Sequence, residues 1–247
     1  MIEIEKILEK QQAWQEASTD DESLISAMAF ESLSKCADAI TILSGNLSKF
    51  GYVWVSSEPI PVNEVEGSIR IIETQTGLSI PKILVAFWKI VGGISFVDLE
   101  HYRHVGFWHK HKITAPQGFA DGLHIDACSR GWAAYICEKY EEWQNDDQQD
   151  EVEQFLLSLS PDGYHKDDIS GGEPYGVFAE SAWKPIWQYF EWSGVVRVRP
   201  VTALADPPDF LSYLRTTVLE CAGFPGLLGI PAFDSFRSKL LEDVPLF

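Results

Sequence analysis

The order of helical and strand-forming patterns along the chain constrains the fold more than any other feature of this sequence. Residues 2–17 and 21–49 carry apolar side chains at the three- and four-residue spacing of amphipathic helices. Short apolar runs of strand length follow them, separated by Gly and Pro and interrupted by further helical patterns. Because helices come first and the later strands do not alternate regularly with helices, the pattern favours an α+β fold over a repeated βαβ array.

Glycine and proline divide this pattern into individual elements. The Asn63-x-x-Glu66 motif is typical of a helix N-terminal capping box, and Gly77 ends the helix that it opens. Pro81 fits the first turn of a second helix, which stops at Gly92. Further helices are predicted over residues 128–142, 211–221 and 236–241, and strands over residues 52–56, 94–97, 123–126, 152–159, 175–178 and 194–199.

The charge balance restricts the classes of partner. The chain has 37 Asp and Glu residues against 19 Lys and Arg residues, which gives a net charge of −18. Nucleic acids and anionic membrane surfaces bind proteins of the opposite charge, so neither is expected as a partner. A basic protein would be attracted, although acidity that serves solubility alone explains the same composition.

Several motifs that would indicate a membrane, a secretory route or a cofactor are absent from the sequence. No apolar run is long enough for a membrane span, and the acidic start of the chain is unlike a secretory signal. The four cysteines are scattered without a Cys-x-x-Cys pair, which is typical of reduced thiols in a cytoplasmic protein. Phosphate-binding, dinucleotide-binding, metalloprotease and calcium-loop motifs do not occur, so no cofactor is expected.

Three blocks occur in an order that resembles a known family. The first runs from Gly77-Leu-Ser-Ile-Pro81 through Phe87-Trp88 to Gly92-Gly93-Ile-Ser-Phe96, the second is Asp121-Gly-Leu-His-Ile125, and the third is residues 167–178. A predicted helix at residues 209–214 follows them. Over residues 63–222 the chain resembles the SUKH superfamily, which includes fungal cell-wall-assembly regulators and bacterial proteins that neutralise polymorphic toxins. It departs from the usual family pattern at Gly122, where a proline commonly follows the aspartate.

The resemblance implies a SUKH-like α+β fold with a mixed β-sheet flanked by helices, a protein-binding role and no catalytic residues. The family region would be residues 63–222. Residues 1–62 would form an N-terminal helical extension packed on this core, and residues 223–247 a C-terminal extension. Bacterial members of the family are typically immunity proteins, often against basic nuclease toxins.

The stretch of residues 160–177 is the candidate functional segment, because it gathers acids, aromatic residues, a histidine and two serines between two predicted strands. A catalytic interpretation would use His165 as base and Ser170 as nucleophile, but Ser170 lacks the strand–turn–helix context of a nucleophile elbow. Acids that surround aromatic side chains are suited to binding Lys- and Arg-rich protein surfaces, so the binding interpretation of this loop is favoured over the catalytic one. The predicted partner-binding residues are Asp162, Tyr164, His165, Asp167, Asp168, Glu173 and Tyr175.

Two other segments have both a functional and a structural interpretation. Residues 101–111 contain four histidines, and His109 and His111 would share one face of a strand, as zinc or copper could use. Nearby Arg103, Lys110 and Lys112 would repel a cation, so no metal site is predicted. The aromatic run of residues 183–192 could be a carbohydrate or peptide platform, but packing over the core is favoured.

These observations favour a non-enzymatic, cytoplasmic immunity protein that masks the active surface of a basic, nuclease-type polymorphic toxin. Two alternatives stay open. One is a regulatory scaffold of the cell-wall-assembly-regulator type, and the other is a metal-dependent enzyme that uses the His101–His111 segment.

Overall fold

Helices form most of the chain that the structure describes. The computed structural model describes residues 4–98, 101, 103–114, 122–145, 154–159, 175–185, 187–189 and 209–247. Within these ranges the α-helices are α1 (Ile4–Glu16), α2 (Glu22–Lys49), α3 (Val62–Thr76), α4 (Lys82–Ile90), α5 (Arg103–Lys110), α6 (Arg130–Gln144), α7 (Phe210–Arg215) and α8 (Pro231–Leu240). None of these helices is both long and apolar enough to cross a membrane. Together with two small sheets they confirm the predicted α+β fold.

The described strands form two sheets of three strands each. They are β1 (Ser56–Glu58), β2 (Gly93–Ser95), β3 (His124–Ile125), β4 (Leu156–Ser158), β5 (Tyr175–Phe178) and β6 (Trp187–Tyr189). Their orders are β1-β2-β3 and β4-β5-β6, and every pairing among them is antiparallel, whereas the resemblance implied a mixed sheet. The amide of Asp126 donates to the carbonyl of Leu159 at 2.7 Å, which joins the two sheets at the ends of β3 and β4.

Helix α2 runs through the hydrophobic core. Asp21 caps its N-terminus by accepting a hydrogen bond from the amide of Leu24 at 3.0 Å. Helices α4 and α8 both pack against it. The residues that it buries are Ile25, Ala29, Ser32, Leu33, Cys36, Ala39, Ile40, Leu43, Asn46 and Leu47.

The short helix α7 is also deeply buried, and its N-terminus is held by α1. Asp209 caps α7 by accepting hydrogen bonds from the amides of Leu211 and Ser212, each at 3.0 Å. The same carboxylate accepts from Trp14 Nε1 at 3.0 Å and from Gln15 Nε2 at 2.8 Å. The predicted N-terminal helices therefore pack directly on the late part of the chain.

The other end of α7 carries a buried arginine. Arg215 donates to Ser32 Oγ of α2 at 3.0 Å and to an oxygen of Phe247 at 2.8 Å. Burial lowers the pKa of Arg215 to about 10, and the nearby Asp209 carboxylate opposes this shift. Because Arg215 forms hydrogen bonds with both α2 and Phe247, α7 connects parts of the chain that are distant in sequence.

One hydrophobic cluster contains side chains from all three predicted segments, residues 1–62, 63–222 and 223–247. At one end of this cluster Trp108 lies between aromatic rings from distant parts of the chain. Its ring centroid is 5.6 Å from that of Tyr52, 4.6 Å from that of Phe224 and 5.7 Å from that of Phe233. These contacts bury large aromatic side chains from distant parts of the sequence in one cluster.

Several predicted elements differ from the observed ones. The strand predicted over residues 52–56 begins only at Ser56, as β1. Tyr52 turns into the core instead, and its hydroxyl donates to the carbonyl of Phe96. The capping box at Asn63 is wrong, since Pro61 occupies the N-cap position of α3 without a side-chain bond. The helix predicted over residues 211–221 ends as α7 at Arg215 and continues as a π-helical turn, Thr216–Glu220. The predicted strand 194–199 lies outside the described residues.

Candidate functional site

The strands on either side of the candidate functional segment are paired with each other, as predicted. Leu157 of β4 lies opposite Val177 of β5, and Ser158 lies opposite Gly176. Residues 160–174 therefore connect two antiparallel neighbours. Tyr175 is the first residue of β5. The other predicted partner-binding residues lie outside the described residues: Asp162, Tyr164, His165, Asp167, Asp168 and Glu173.

The pairing of β4 with β5 depends on close packing of small and apolar groups. Leu157 and Val177 are both fully buried, so they fix which face of this sheet points inward. Gly176 lies so close to β4 that a Cβ atom at this position would overlap the backbone carbonyl of Leu157. Glycine is therefore required at residue 176 for the two backbones to approach each other.

Helix α6 packs on the residue that precedes β4. Phe155, one residue before β4, contacts Tyr140 and Trp143 of α6 at ring-centroid distances of 5.2 and 5.7 Å. The same part of α6 exposes three carboxylates to solvent: Glu138, Glu141 and Glu142. Lys139 donates to Glu142 Oε2 at 2.6 Å, and this bond raises the pKa of the Lys139 ammonium. Helix α6 thus packs beside the start of β4 and turns its exposed acids to solvent, away from Phe155.

The histidine-rich segment is helical, so the strand in which His109 and His111 would share a face is wrong. His104 is fully buried, and its Nδ1 accepts a hydrogen bond from the amide of Asp98 at 3.3 Å. His111 packs its ring on Phe236, with the centroids 5.1 Å apart. Within the described ranges, no group of three or more His, Cys, Asp and Glu side chains is arranged to hold a metal ion.

Asp98 binds an arginine from this segment. Arg103 Nε donates to Asp98 Oδ2 at 2.7 Å, and the amides of His101 and Arg103 also donate to this carboxylate. Burial by itself raises the pKa of Asp98, but these hydrogen bonds from Arg103 and the two amides outweigh it and lower the pKa to about 2. The arrangement stabilises the turn that leads into α5.

The aromatic run begins with a residue that packs on the core, as favoured from the sequence. Trp183 is only 8% exposed, lies edge-on to Phe30 of α2 and donates from Nε1 to Glu22 Oε1 at 2.8 Å. The next residue, Lys184, donates to the carbonyl of Ala17 at 2.6 Å, at the C-terminal end of α1. This segment therefore holds the junction between α1 and α2.

A line of three polar side chains on the first sheet was not recognised from the sequence. Ser95 Oγ is 3.0 Å from His124 Nδ1, and His124 Nε2 is 3.3 Å from Asp126 Oδ1. The strand register explains this line, because Ser95 lies opposite His124 and residues 124 and 126 point to the same side of a strand. The amide of Phe96 donates to the carbonyl of Leu123, so Ser95 and His124 form a non-hydrogen-bonded pair, in which side chains approach most closely.

The sequence signal for this line was the His-x-Asp alternation at residues 124–126, within a strand that was predicted. Its partner Ser95 could not be identified, because cross-strand register is not visible in a single sequence. The His124 side chain is 8% exposed and that of Asp126 is 30% exposed, so the histidine is shielded and the acid reaches solvent. The arrangement can hold a proton on either ring nitrogen of His124.

Neither a scan against protein-family models nor searches of curated proteins and of solved structures finds a match to the chain. The resemblance to the SUKH superfamily therefore remains a prediction from the residues that carry it.

Proposed function

We propose that the chain is a non-enzymatic immunity protein of the cytoplasm that binds a basic, nuclease-type polymorphic toxin and masks its active surface. The residues proposed to make the contact are Asp162, Tyr164, His165, Asp167, Asp168, Glu173 and Tyr175, together with the exposed acids of α6.

The packing of Phe155 against Tyr140 and Trp143 is the observation that carries this proposal. The exposed Glu138, Glu141 and Glu142 lie on the solvent side of α6, away from Phe155, and the acids of residues 160–174 follow β4 in the sequence. We propose that these two acidic stretches form one binding surface. A surface of this kind attracts a basic protein through its field and repels other acidic proteins.

The proposed mechanism is electrostatic steering followed by burial of aromatic anchors. The net charge of −18 speeds the encounter with a cationic nuclease, whose own substrate is a polyanion. Tyr164 and Tyr175 would then supply the desolvated contact area that holds the complex, because aromatic side chains dominate the energy of most interfaces. Masking of the basic surface would exclude nucleic acid without any chemical step.

Affinity capture tests this proposal. The wild-type chain is immobilised, exposed to extracts of cells that express it, and eluted with a salt gradient. Recovery of one basic protein in equal amount, released by salt and showing nuclease activity that the chain inhibits, is the expected result. Recovery of many proteins at low yield would favour the regulatory scaffold instead. Inhibition that persists at high salt would contradict the electrostatic mechanism.

A further inference from the structure

Strand β1 lies at the edge of the first sheet and is exposed along its whole length. Among the described strands it is paired on one side only, with β2. Its three residues, Ser56, Ser57 and Glu58, are all exposed to solvent. The pairing with β2 is close, since a Cβ atom at Gly92 would overlap the carbonyl of Glu58. An edge held in this way presents backbone N–H and C=O groups to which a strand of another protein can bond.

The register of the sheet identifies which backbone groups of β1 point outward. The amide of Phe96 donates to the carbonyl of Leu123, and hydrogen-bonded positions recur at every second residue of an antiparallel pair. Ile94 therefore also turns its backbone N–H and C=O toward β3, and its two neighbours turn theirs toward β1. Ser57 lies opposite Ile94, so the N–H and C=O of Ser57 point away from β2. The outward donor and acceptor of this edge belong to Ser57.

Exposed apolar side chains lie beyond both ends of β1. Val53, three residues before the strand, is 72% exposed, and Val62, four residues after it, is 48% exposed. Val53 is the most exposed large hydrophobic side chain among the described residues. A strand that pairs with β1 gains apolar contact area at these positions in addition to its backbone hydrogen bonds.

Two prolines set the length of this edge. Pro59 and Pro61 follow β1 directly, and proline has no N–H to donate to a neighbouring strand. Pairing is therefore confined to β1 and the residues before it, which also protects the edge from uncontrolled aggregation. The edge suits a short extended segment and not the long strand of another sheet.

Charge selects the class of segment. Glu58 is an exposed acid on β1 itself, and Glu64 lies in the first turn of the following helix, α3. Lys89 of α4 pairs with Glu66 of α3 at 3.1 Å, so its charge is offset. A second copy of the chain would bring another net charge of −18 and would be repelled, whereas a Lys- or Arg-rich segment would be attracted.

We propose that the outer edge of β1 is a docking site for a short, Lys- or Arg-rich extended segment of a protein partner, which adds to the first sheet as a further strand. The N–H and C=O of Ser57 bond to the backbone of this segment, and Glu58 pairs with one of its cations. The inference goes beyond the proposed function, because neither residue belongs to the contact surface proposed there. It does not depend on the partner being a toxin.

A peptide titration of the full chain, followed by nuclear magnetic resonance, tests the inference. The probe is a hexapeptide of alternating lysine and valine, blocked at both ends, and the matched control is the same peptide with glutamate in place of lysine. We expect saturable shifts of the Ser57 amide with the lysine peptide, and hydrogen exchange of that amide that is about tenfold slower in the complex, because the N–H is then bonded. The glutamate peptide should bind at least about tenfold more weakly.

Three variants separate the backbone contact from the charge. Ser57→Pro removes the outward N–H and none of the bonds to β2, so binding of the lysine peptide should weaken about tenfold on an edge that tolerates proline. Ser57→Ala keeps the backbone donor and should bind like wild type. Glu58→Lys should weaken the lysine peptide and strengthen the glutamate peptide. It changes no backbone group, so it keeps the test decisive if proline disturbs the strand.

Three results would overturn the inference: no saturable shift at Ser57, equal binding of the two peptides to wild type, or unchanged binding in a folded Ser57→Pro or Glu58→Lys variant. Shifts from the lysine peptide that are confined to the amides of α6 would overturn it as well. That last result would leave the proposed function standing, because the contact surface proposed there includes the exposed acids of α6.

Discussion

The indole Nε1 of Trp14 donates a hydrogen bond of 3.0 Å to the carboxylate of Asp209, across 195 positions of the sequence. Both residues are buried, and Asp209 also caps α7. The bond shows that α1 is part of the core and not an appendage to it. It also explains why a charged residue is tolerated here, because five hydrogen-bond donors surround one carboxylate.

Replacement of Asp209 by alanine should strongly destabilise the fold. The change removes the cap of α7 and leaves the buried indole of Trp14 without its acceptor, at a cost of about 3 kcal/mol in the free energy of unfolding. Asp21→Ala is the matched control, because it removes an exposed N-cap, and it should cost about 1 kcal/mol. Urea denaturation measures both values. Equal losses of unfolding free energy in the two variants would contradict the role given to Asp209.

Gly176→Ala should disrupt the pairing of β4 with β5. The added methyl group would overlap the carbonyl of Leu157, so the strands must separate or shift register. Gly45→Ala is the control: this glycine lies in α2 with open space around its Cβ position, and alanine there should stabilise by about 0.5–1 kcal/mol. The melting temperatures of the two variants, measured by thermal denaturation, should therefore shift in opposite directions from that of wild type. A neutral result at residue 176 would mean that the two strands are less closely paired than described.

Asp98 should make the fold sensitive to acid. Because its folded pKa of about 2 lies below the ordinary value of an aspartate, the stability that it contributes is complete above about pH 4 and is lost as the pH falls toward 2. Asp98→Asn should flatten the fall in unfolding free energy over this interval. Glu66→Gln, which breaks an exposed pair with Lys89, should leave the acid response as in wild type. If the unfolding free energy of Asp98→Asn falls as steeply with pH as that of wild type, Asp98 is not the source of the acid sensitivity.

The four cysteines should be unreactive in the folded protein. All are buried free thiols, and burial raises their pKa values, to about 12 for Cys128. A thiol reagent such as DTNB should modify no cysteine at pH 8 in the native state and all four after unfolding, since the thiolate is the reactive form. Rapid reaction of one thiol in the native protein would indicate local opening around it.

Local sequence patterns are sufficient to predict part of this fold. Helices α1, α2 and α4 and the paired strands β4 and β5 were predictable, because their spacing of apolar residues and their Gly and Pro boundaries are local signals. The buried polar pairs were not, since Trp14 with Asp209 and Ser95 with His124 depend on tertiary packing and on register. Helix α5 differs from the predicted strand because its buried residues, His104, Phe107 and Trp108, follow the spacing of a helix, a signal that the alternation of His109 and His111 does not contain.

The most direct test of the central claim is the association rate of the captured basic partner with three forms of the chain at several salt concentrations. The forms are wild type, Asp167→Lys with Asp168→Lys, and the equally charged control Glu5→Lys with Glu9→Lys on the exposed side of α1. The account predicts that the 167/168 variant associates about tenfold more slowly at low salt and depends less on salt, while the control differs little from wild type. Equal rates for the 167/168 variant and wild type would contradict it, because the acidic segment would then not face the partner.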